Sequence, residues 1–314
     1  MKAYRNIRRT LLCAACALLA ANAGAAEPAH AAGELPPKPS VGDIVKTSTP
    51  EDWRAPDPES TLYMELPKGR VVIEMAPAFA PNHVKKIKAL VRSHYFDGLD
   101  VLRVQDNFVV QWGDPDEDND RARKVEGGAQ KTLKAEFTVP IASSMHFTRM
   151  LDPDGYAPEV GHADGFPAGR DTKAGRTWLA HCYGMVGVGR DNDADSGGGT
   201  SLYAVIGPAR QLDRNITVVG RVVEGMPLLA SMPRGPAPMG FYDKQDMNVP
   251  IASVKVAADV PEAQRSHIEV MRTERPVYQA VVDAARNRGG PWNKFSPGYV
   301  DLCAAPIPVR EHKM

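Results

Sequence analysis

Cysteine is scarce: there are four in 314 residues, and Cys13 and Cys16 lie close to the N-terminus. Cys182 and Cys303 are left for the body of the chain, too few for a disulfide scaffold or, alone, for a metal site. Net charge is absent too, with 38 basic against 38 acidic residues. The first 25 residues carry Lys2, Arg5, Arg8 and Arg9 and no acid, which leaves 34 basic and 38 acidic residues beyond them. A mildly acidic body lacks the basic face that phosphates require, so no nucleic-acid partner is expected. No apolar run approaches the ~20 residues of a membrane-spanning helix. The eight histidines are scattered without metal-ligand spacing, and there is no internal repeat.

The N-terminus has the three parts of a secretion signal. A basic start (Lys2 to Arg9) precedes the apolar stretch Leu11–Ala20, and small residues follow at Ala21-Asn22-Ala23 and Ala23-Gly24-Ala25. The expectation is a cleaved signal over 1–25 and a periplasmic or secreted protein with no membrane span after cleavage. The alternative is a retained N-terminal anchor. Arg8-Arg9-Thr10-Leu11-Leu12 adds a twin-arginine character. In an oxidising compartment Cys182 and Cys303 can pair and tie the C-terminal tail to the domain, or remain two separate buried thiols.

Residues 26–57 are rich in Pro, Ala and charge and read as a linker or an arm laid on the surface. Alternation at Leu62, Met64, Leu66 and at Val71, Ile73, Met75, around Pro67-Lys68-Gly69, predicts a β-hairpin. A helix follows from Pro81, with Val84, Ile87 and Val91 inward and Lys85, Lys86 and Lys88 outward. Short strands are predicted at 101–104, 108–112, 184–188, 202–206, 217–222 and 250–257. Residues 114–180 show little periodicity and read as long loops with one strand near 135–139. The pattern Ile268, Met271, Val277, Val281 and Ala284 predicts a helical extension over 259–314. Many short strands with few helices point to a closed β-barrel over 58–258.

Several patterns are weaker than they look. Asp191, Asp193 and Asp195 mimic a calcium loop, but Ser196 replaces its glycine and Leu202 its glutamate, so a solvated turn is expected. Gly197-Gly198-Gly199-Thr200 lacks the lysine of a phosphate loop. The acidic run Asp114, Asp116, Glu117, Asp118, Asp120 reads as a solvated loop.

The segment from Tyr95 to Pro115, YFDGLDVLRVQDNFVVQWGDP, keeps the spacing from Gly98 through Arg103, Phe108 and Gln111 to Gly113-Asp114. It resembles the cyclophilin signature Y-[DY]-G-x-x-F-H-R-V followed by F-x-x-Q-G-G-D. Leu66–Met75 resembles the family's opening hairpin, and Ala80-Pro81-Asn82-His83-Val84 its helix start. Gly184–Gly189 stands at G-x-L-S-M-A, Thr200–Tyr203 at S-Q-F-F, and Leu212–Val222 at L-D-G-x-x-x-V-F-G-K-V. The resemblance covers about residues 60–257 and, with the N-terminal signal pattern, implies a divergent, exported bacterial form of the cyclophilin-type peptidyl-prolyl cis–trans isomerases.

The resemblance implies a mainly β fold: a closed eight-stranded antiparallel barrel with flanking helices, here with the 259–314 extension. It implies an enzyme that turns Xaa–Pro bonds in proline-containing polypeptides and needs no cofactor or metal. The barrier is amide resonance, about 18–20 kcal/mol, so the task is to bind the twisted amide better than either planar form. The family assigns Arg103 as the cation aimed at the prolyl amide. Phe108, Val109, Leu212 and Tyr203 would form the proline pocket, with Gly189 and Ser201 on its peptide-binding edge. Gln111 would bond the peptide backbone or hold Arg103. Strand alternation sets Phe108 and Gln111 on opposite faces, so a twist or bulge is required. The family's Phe-His before the arginine is Val101-Leu102 here, its glutamine is Ser201, a histidine is Ile216 and a tryptophan is Gln211. These changes open the alternative of a catalytically weak cyclophilin-like peptide-binding module or chaperone.

Overall fold

The computed structural model describes residues 38–117, 119–125 and 132–311. The expected signal (1–25), residues 26–37 and Asp118 lie outside the described residues.

The centre is a nine-stranded antiparallel sheet. Its strands are β1 (Thr61–Leu66), β2 (Gly69–Met75), β3 (Asp100–Gln105), β4 (Val109–Gly113), β5 (Met185–Val188), β6 (Leu202–Val205), β7 (Val218–Glu224), β8 (Val249–Pro250) and β9 (Ser253–Val256). They lie in the order β8-β3-β4-β6-β5-β7-β2-β1-β9. The first hairpin forms as predicted, Leu66 opposite Gly69. The expected closed eight-stranded barrel is corrected in two respects: there are nine strands, and the ladder is open. Its two edges are nevertheless consecutive in the chain. Val249–Pro250 pairs with β3 and Ser253–Val256 with β1. Between them Ile251 bonds Leu99 and Gly98, and the Ala252 amide bonds Glu65. One short segment thus laces the edges of a curled sheet together.

Helix α1 (Val41–Thr47) lies within the Pro-rich arm and starts on a capping box. The Asp43 amide donates to Ser40 Oγ, and the Ser40 amide donates to the Asp43 carboxylate. In α2 (Pro81–Arg92) the missing proline N–H is harmless at the first turn. The free amides of Asn82 and His83 donate to Glu136, each at 3.1 Å. Val84, Ile87, Leu90 and Val91 face the core. Lys88 reaches Glu59, but Lys86, expected outside, is buried, and that burial lowers its pKa. A short helix, α3 (Met226–Ala230), follows β7, and α4 (Pro276–Arg286) lies near the C-terminus.

Residues 114–180 are not long loops. They hold a five-stranded antiparallel sheet of Val139–Pro140, Arg176–Leu179, Phe166–Asp171, Glu159–Ala163 and Phe147–Met150, in that spatial order. The one predicted strand falls at Val139–Pro140, a few residues late. Ile268 and Met271 are also corrected. They belong to the strand Ile268–Met271, paired with Trp53–Arg54 and Val309–Glu311, while the helical pattern begins only at Pro276. The acidic run is partly tied down. Asp114 accepts from the amides of Asp116 and Arg123, and Glu117 accepts from Thr200.

Strand alternation divides the apolar side chains between two cores. Leu202 and Ala204 join Leu62, Ile73, Val101, Val104, Val110 and Trp112 inside the curled sheet. Tyr203 and Val205 point the other way, into a second core with Val109, Trp178, Val160, Tyr278 and Leu302. The insertion and the C-terminal extension therefore cover the outer face of the same sheet. Cys182 and Cys303 are joined by a disulfide across this layer.

Candidate active site

The site is built on the outer face of β3, β4 and β6. Val101 lies opposite Trp112 and Arg103 opposite Gln111, so Leu102 is an extra residue in β3. This bulge lets Val101 and Val104, three apart, both enter the inner core. It turns Arg103 outward beside Gln111; Phe108 and Gln111 are not set apart by alternation, because Phe108 lies in the turn before the strand Val109–Gly113. A three-residue turn then delivers Phe108. Asn107 takes a left-handed conformation (φ 53°), which asparagine tolerates. The Phe108 carbonyl is fixed by the Ile206 amide at 2.8 Å.

The Arg103 guanidinium is half-buried and fully directed. Nε donates to the Met239 carbonyl at 2.7 Å, Nη1 to Gln111 Oε1 at 2.9 Å, and Nη2 to Gln105 Oε1. Gln111 Nε2 passes the chain on to Ser201 Oγ at 2.9 Å. All three acceptors are neutral, and among the described residues Arg103 makes no ion pair with a carboxylate. Other buried arginines here differ: Arg210 pairs with Asp154 and Asp213, and Arg221 with Glu74. Burial lowers the Arg103 pKa, yet a guanidinium stays protonated in proteins. The result is a preorganised cation whose charge is not cancelled.

The expected pocket residues lie on the same outer side of the sheet. The Phe108 ring lies 5.9 Å from the guanidinium carbon. Val109 and Tyr203 are buried, and Phe108 and Leu212 are half-buried against the same outer core. Gly189 borders Ser201, where a Cβ would come within 2.9 Å of Ser201 Oγ and would push that hydroxyl away from its place beside Gln111. The Gln111 amide group therefore both holds Arg103 and spans to the opposite edge.

Sequence reasoning missed two features. Beneath the pocket, His181 donates from its ring Nδ1 and its backbone amide to Asp213, at 3.1 and 2.8 Å. With Nδ1–H committed to the Asp213 carboxylate, ring Nε2 is left to accept from the buried Tyr203 hydroxyl at 3.0 Å. Burial raises the Tyr203 pKa, so the hydroxyl remains a donor. The other feature is the segment carrying Met239 and Phe241. Phe241 forms an isolated antiparallel bridge with Arg103, and its ring lies 5.0 Å from the guanidinium carbon. Nothing in its composition announces that pairing. The spacing of His181 and Asp213 around Tyr203 is equally silent, because the three meet only through sheet topology.

Comparison with known proteins agrees with this geometry. Residues 61–256 match the model of the cyclophilin-type peptidyl-prolyl cis-trans isomerase/CLD family. A probable peptidyl-prolyl cis-trans isomerase of Brucella suis is 29% identical over 187 residues, 58% of this chain and 75% of the relative. The human peptidyl-prolyl cis-trans isomerase-like 1 is 23% identical over 212 residues, 68% of this chain and 96% of its own length. The crystal structure of cyclophilin AquaCyp293 from Hirschia baltica superposes with a TM-score of 0.66 at 25% identity, covering 88% of this chain and all of that one. That match extends beyond the family region into the outer layer. With the signature arginine, phenylalanine and glutamine brought together on one sheet face, the chain belongs to the cyclophilin-type peptidyl-prolyl cis-trans isomerase family.

Proposed function

We propose that Arg103 is the catalytic group of this isomerase, and that the enzyme is exported and assists the folding of exported proteins. The observation that carries the first part is the uncancelled, preorganised charge of Arg103, held by three neutral acceptors. As the Xaa–Pro bond twists, the prolyl nitrogen regains a lone pair that resonance had shared with the carbonyl. A fixed cation favours that state over either planar amide, and it costs no reorganisation at the moment of rotation. Phe108, Val109, Tyr203 and Leu212 would grip the proline ring. Gln111, Ser201 and Gly189 would line the edge along which the peptide backbone lies. No nucleophile or cofactor is needed for a reaction that makes and breaks no bond.

Export is supported by the N-terminal pattern over residues 1–25 and by the Cys182–Cys303 disulfide, which suits an oxidising compartment. Two readouts test the proposal. In the first, catalytic amounts of the protein are added to a refolding protein whose slow phase is prolyl isomerisation. The slow phase should accelerate with wild type and not with Arg103→Ala; acceleration by both would refute the site. In the second, cells expressing the full chain are fractionated. The chain should be periplasmic and shortened near Ala25, and deletion of residues 2–25 should leave it in the cytoplasm. A full-length chain retained in the cytoplasm would refute export.

A further inference from the structure

The segment 233–242 runs beside β3 as a strap. The Gly235 amide donates to the Val104 carbonyl at 3.0 Å, the Val104 amide to the Gly240 carbonyl at 2.8 Å, and the Tyr242 amide to the Leu102 carbonyl at 2.9 Å. Gly240 is the fixed point. Its φ is +74°, and a Cβ there would lie 2.5 Å from Gln105 Cα, so no other residue lets the strap approach so closely. Side chains brace both ends: Arg234 pairs with Asp106 at 3.0 Å, and the Tyr242 hydroxyl donates to the Pro233 carbonyl at 2.7 Å. Between these anchors the strap presents Met239 and Phe241, which are 51% and 44% exposed and belong to neither main core. Two large apolar side chains are thus held in water beside the reacting cation.

We infer that Met239 and Phe241 form a specificity subsite for an apolar side chain on a residue adjoining the prolyl residue of the substrate. The inference rests on Arg103 being the group that meets the prolyl amide. An extended chain advances about 3.3–3.6 Å per residue. The Phe241 ring centre, 5.0 Å from the guanidinium carbon, is therefore within one or two residues of that amide. Phe108 stands on the proline-pocket side at 5.9 Å, so the guanidinium has an apolar wall at each of two aromatic neighbours. Phe108 occupies a signature position. Phe241 is supplied by the strap. An aliphatic or aromatic substrate side chain would cover ring surface that is now wet. Covering about 50 Å² of apolar surface corresponds to about a tenfold preference.

The test is a panel of short peptides in which each residue flanking the proline is in turn Gly, Ala, Leu or Phe, with kcat/KM measured for each. Wild type should prefer Leu or Phe over Gly by about tenfold at one flanking position. Phe241→Ala should bring that ratio to about twofold or below, whatever the absolute rates, and Phe241→Leu should keep most of it. Met239→Ala should fall between. A wild type without preference, or a ratio that survives Phe241→Ala, overturns the subsite. So does an equal loss on every peptide, which would make Phe241 only a support for Arg103. Arg103→Ala is assayed on the same panel. If it keeps a full rate, the active-site assignment itself fails; if it loses the rate on every peptide while the Phe241→Ala ratio is unchanged, only the subsite fails.

Discussion

Tyr203 stands where the family has a phenylalanine, and its hydroxyl offers a sharp test of how the pocket floor is held. The hydroxyl is buried and donates to His181 Nε2 at 3.0 Å, within the outer core rather than toward solvent. Tyr203→Phe restores the family's residue but strands the imidazole acceptor. An unsatisfied buried acceptor costs about 1–3 kcal/mol, and that loss of stability is expected in urea unfolding. His181→Leu should cost at least as much, because it strands the Tyr203 hydroxyl and removes one donor from Asp213. Asp213 retains the residue-181 amide and Arg210 Nε at 2.6 Å. The double variant removes both halves of the contact, so its cost should fall short of the sum of the singles by about 1–2 kcal/mol. Activity should separate from stability. The hydroxyl does not face the substrate, so Tyr203→Phe should keep kcat/KM on a prolyl peptide within about threefold, whereas Tyr203→Ala removes the floor and should lose about tenfold or more. Single-variant costs that add to within about 0.5 kcal/mol in the double would refute the contact. A large activity loss in Tyr203→Phe would refute the orientation of the ring.

Other expectations concern the outer layer. His162 is buried, and desolvation first, then the Arg221 charge, push its pKa down to about 3 from 6.5. Between those values the unfolded chain binds a proton that the folded chain refuses, so stability falls as pH drops below 6.5. Unfolding free energies of wild type and His162→Gln, taken at two pH values two units apart within that window, should converge on acidification by about 2 kcal/mol; a constant difference would contradict the buried neutral state. The Cys182–Cys303 bond closes a separation of 121 residues, for which chain entropy gives about 4–5 kcal/mol. Reductant should lower the urea midpoint of wild type and leave that of Cys303→Ser unchanged; equal midpoints for the two proteins without reductant would contradict the tether.

The legible parts of the fold were those written in local pattern. The 62–75 hairpin, the face of α2 carrying Val84, Ile87 and Val91, and the strands around Arg103 follow from period and turn chemistry. The insertion was misread because its strands are short and bear on a core made elsewhere. Val160 and Trp178 pack with Tyr203, Tyr278 and Leu302, which are distant in the chain. One local signal was available: Asp164-Gly165, both at positive φ, is a two-residue hairpin turn between Glu159–Ala163 and Phe166–Asp171. Ile268 and Met271 fit a helical spacing as well as a strand, and only pairing with Trp53–Arg54 decides the matter. At the site, the family signature identifies Arg103, Phe108 and Gln111. The bulge at Leu102 that makes their geometry possible, the His181–Asp213 support and the strap with Phe241 depend on tertiary contacts that no single stretch of sequence encodes.

The central claim is that one uncancelled guanidinium turns the prolyl bond, and a protease-coupled assay on an Ala-Pro peptide tests it most directly. Arg103→Ala should lower kcat/KM by about 10²–10³, the usual effect of removing a preorganised transition-state donor. Its circular dichroism should match wild type, since Arg103 is half-buried on the outer face of the sheet and makes no ion pair among the described residues. Arg103→Lys should not recover the rate, because an ammonium cannot satisfy Met239, Gln111 and Gln105 together in one plane. A rate independent of residue 103 would contradict the account and would leave a peptide-binding module on a cyclophilin fold.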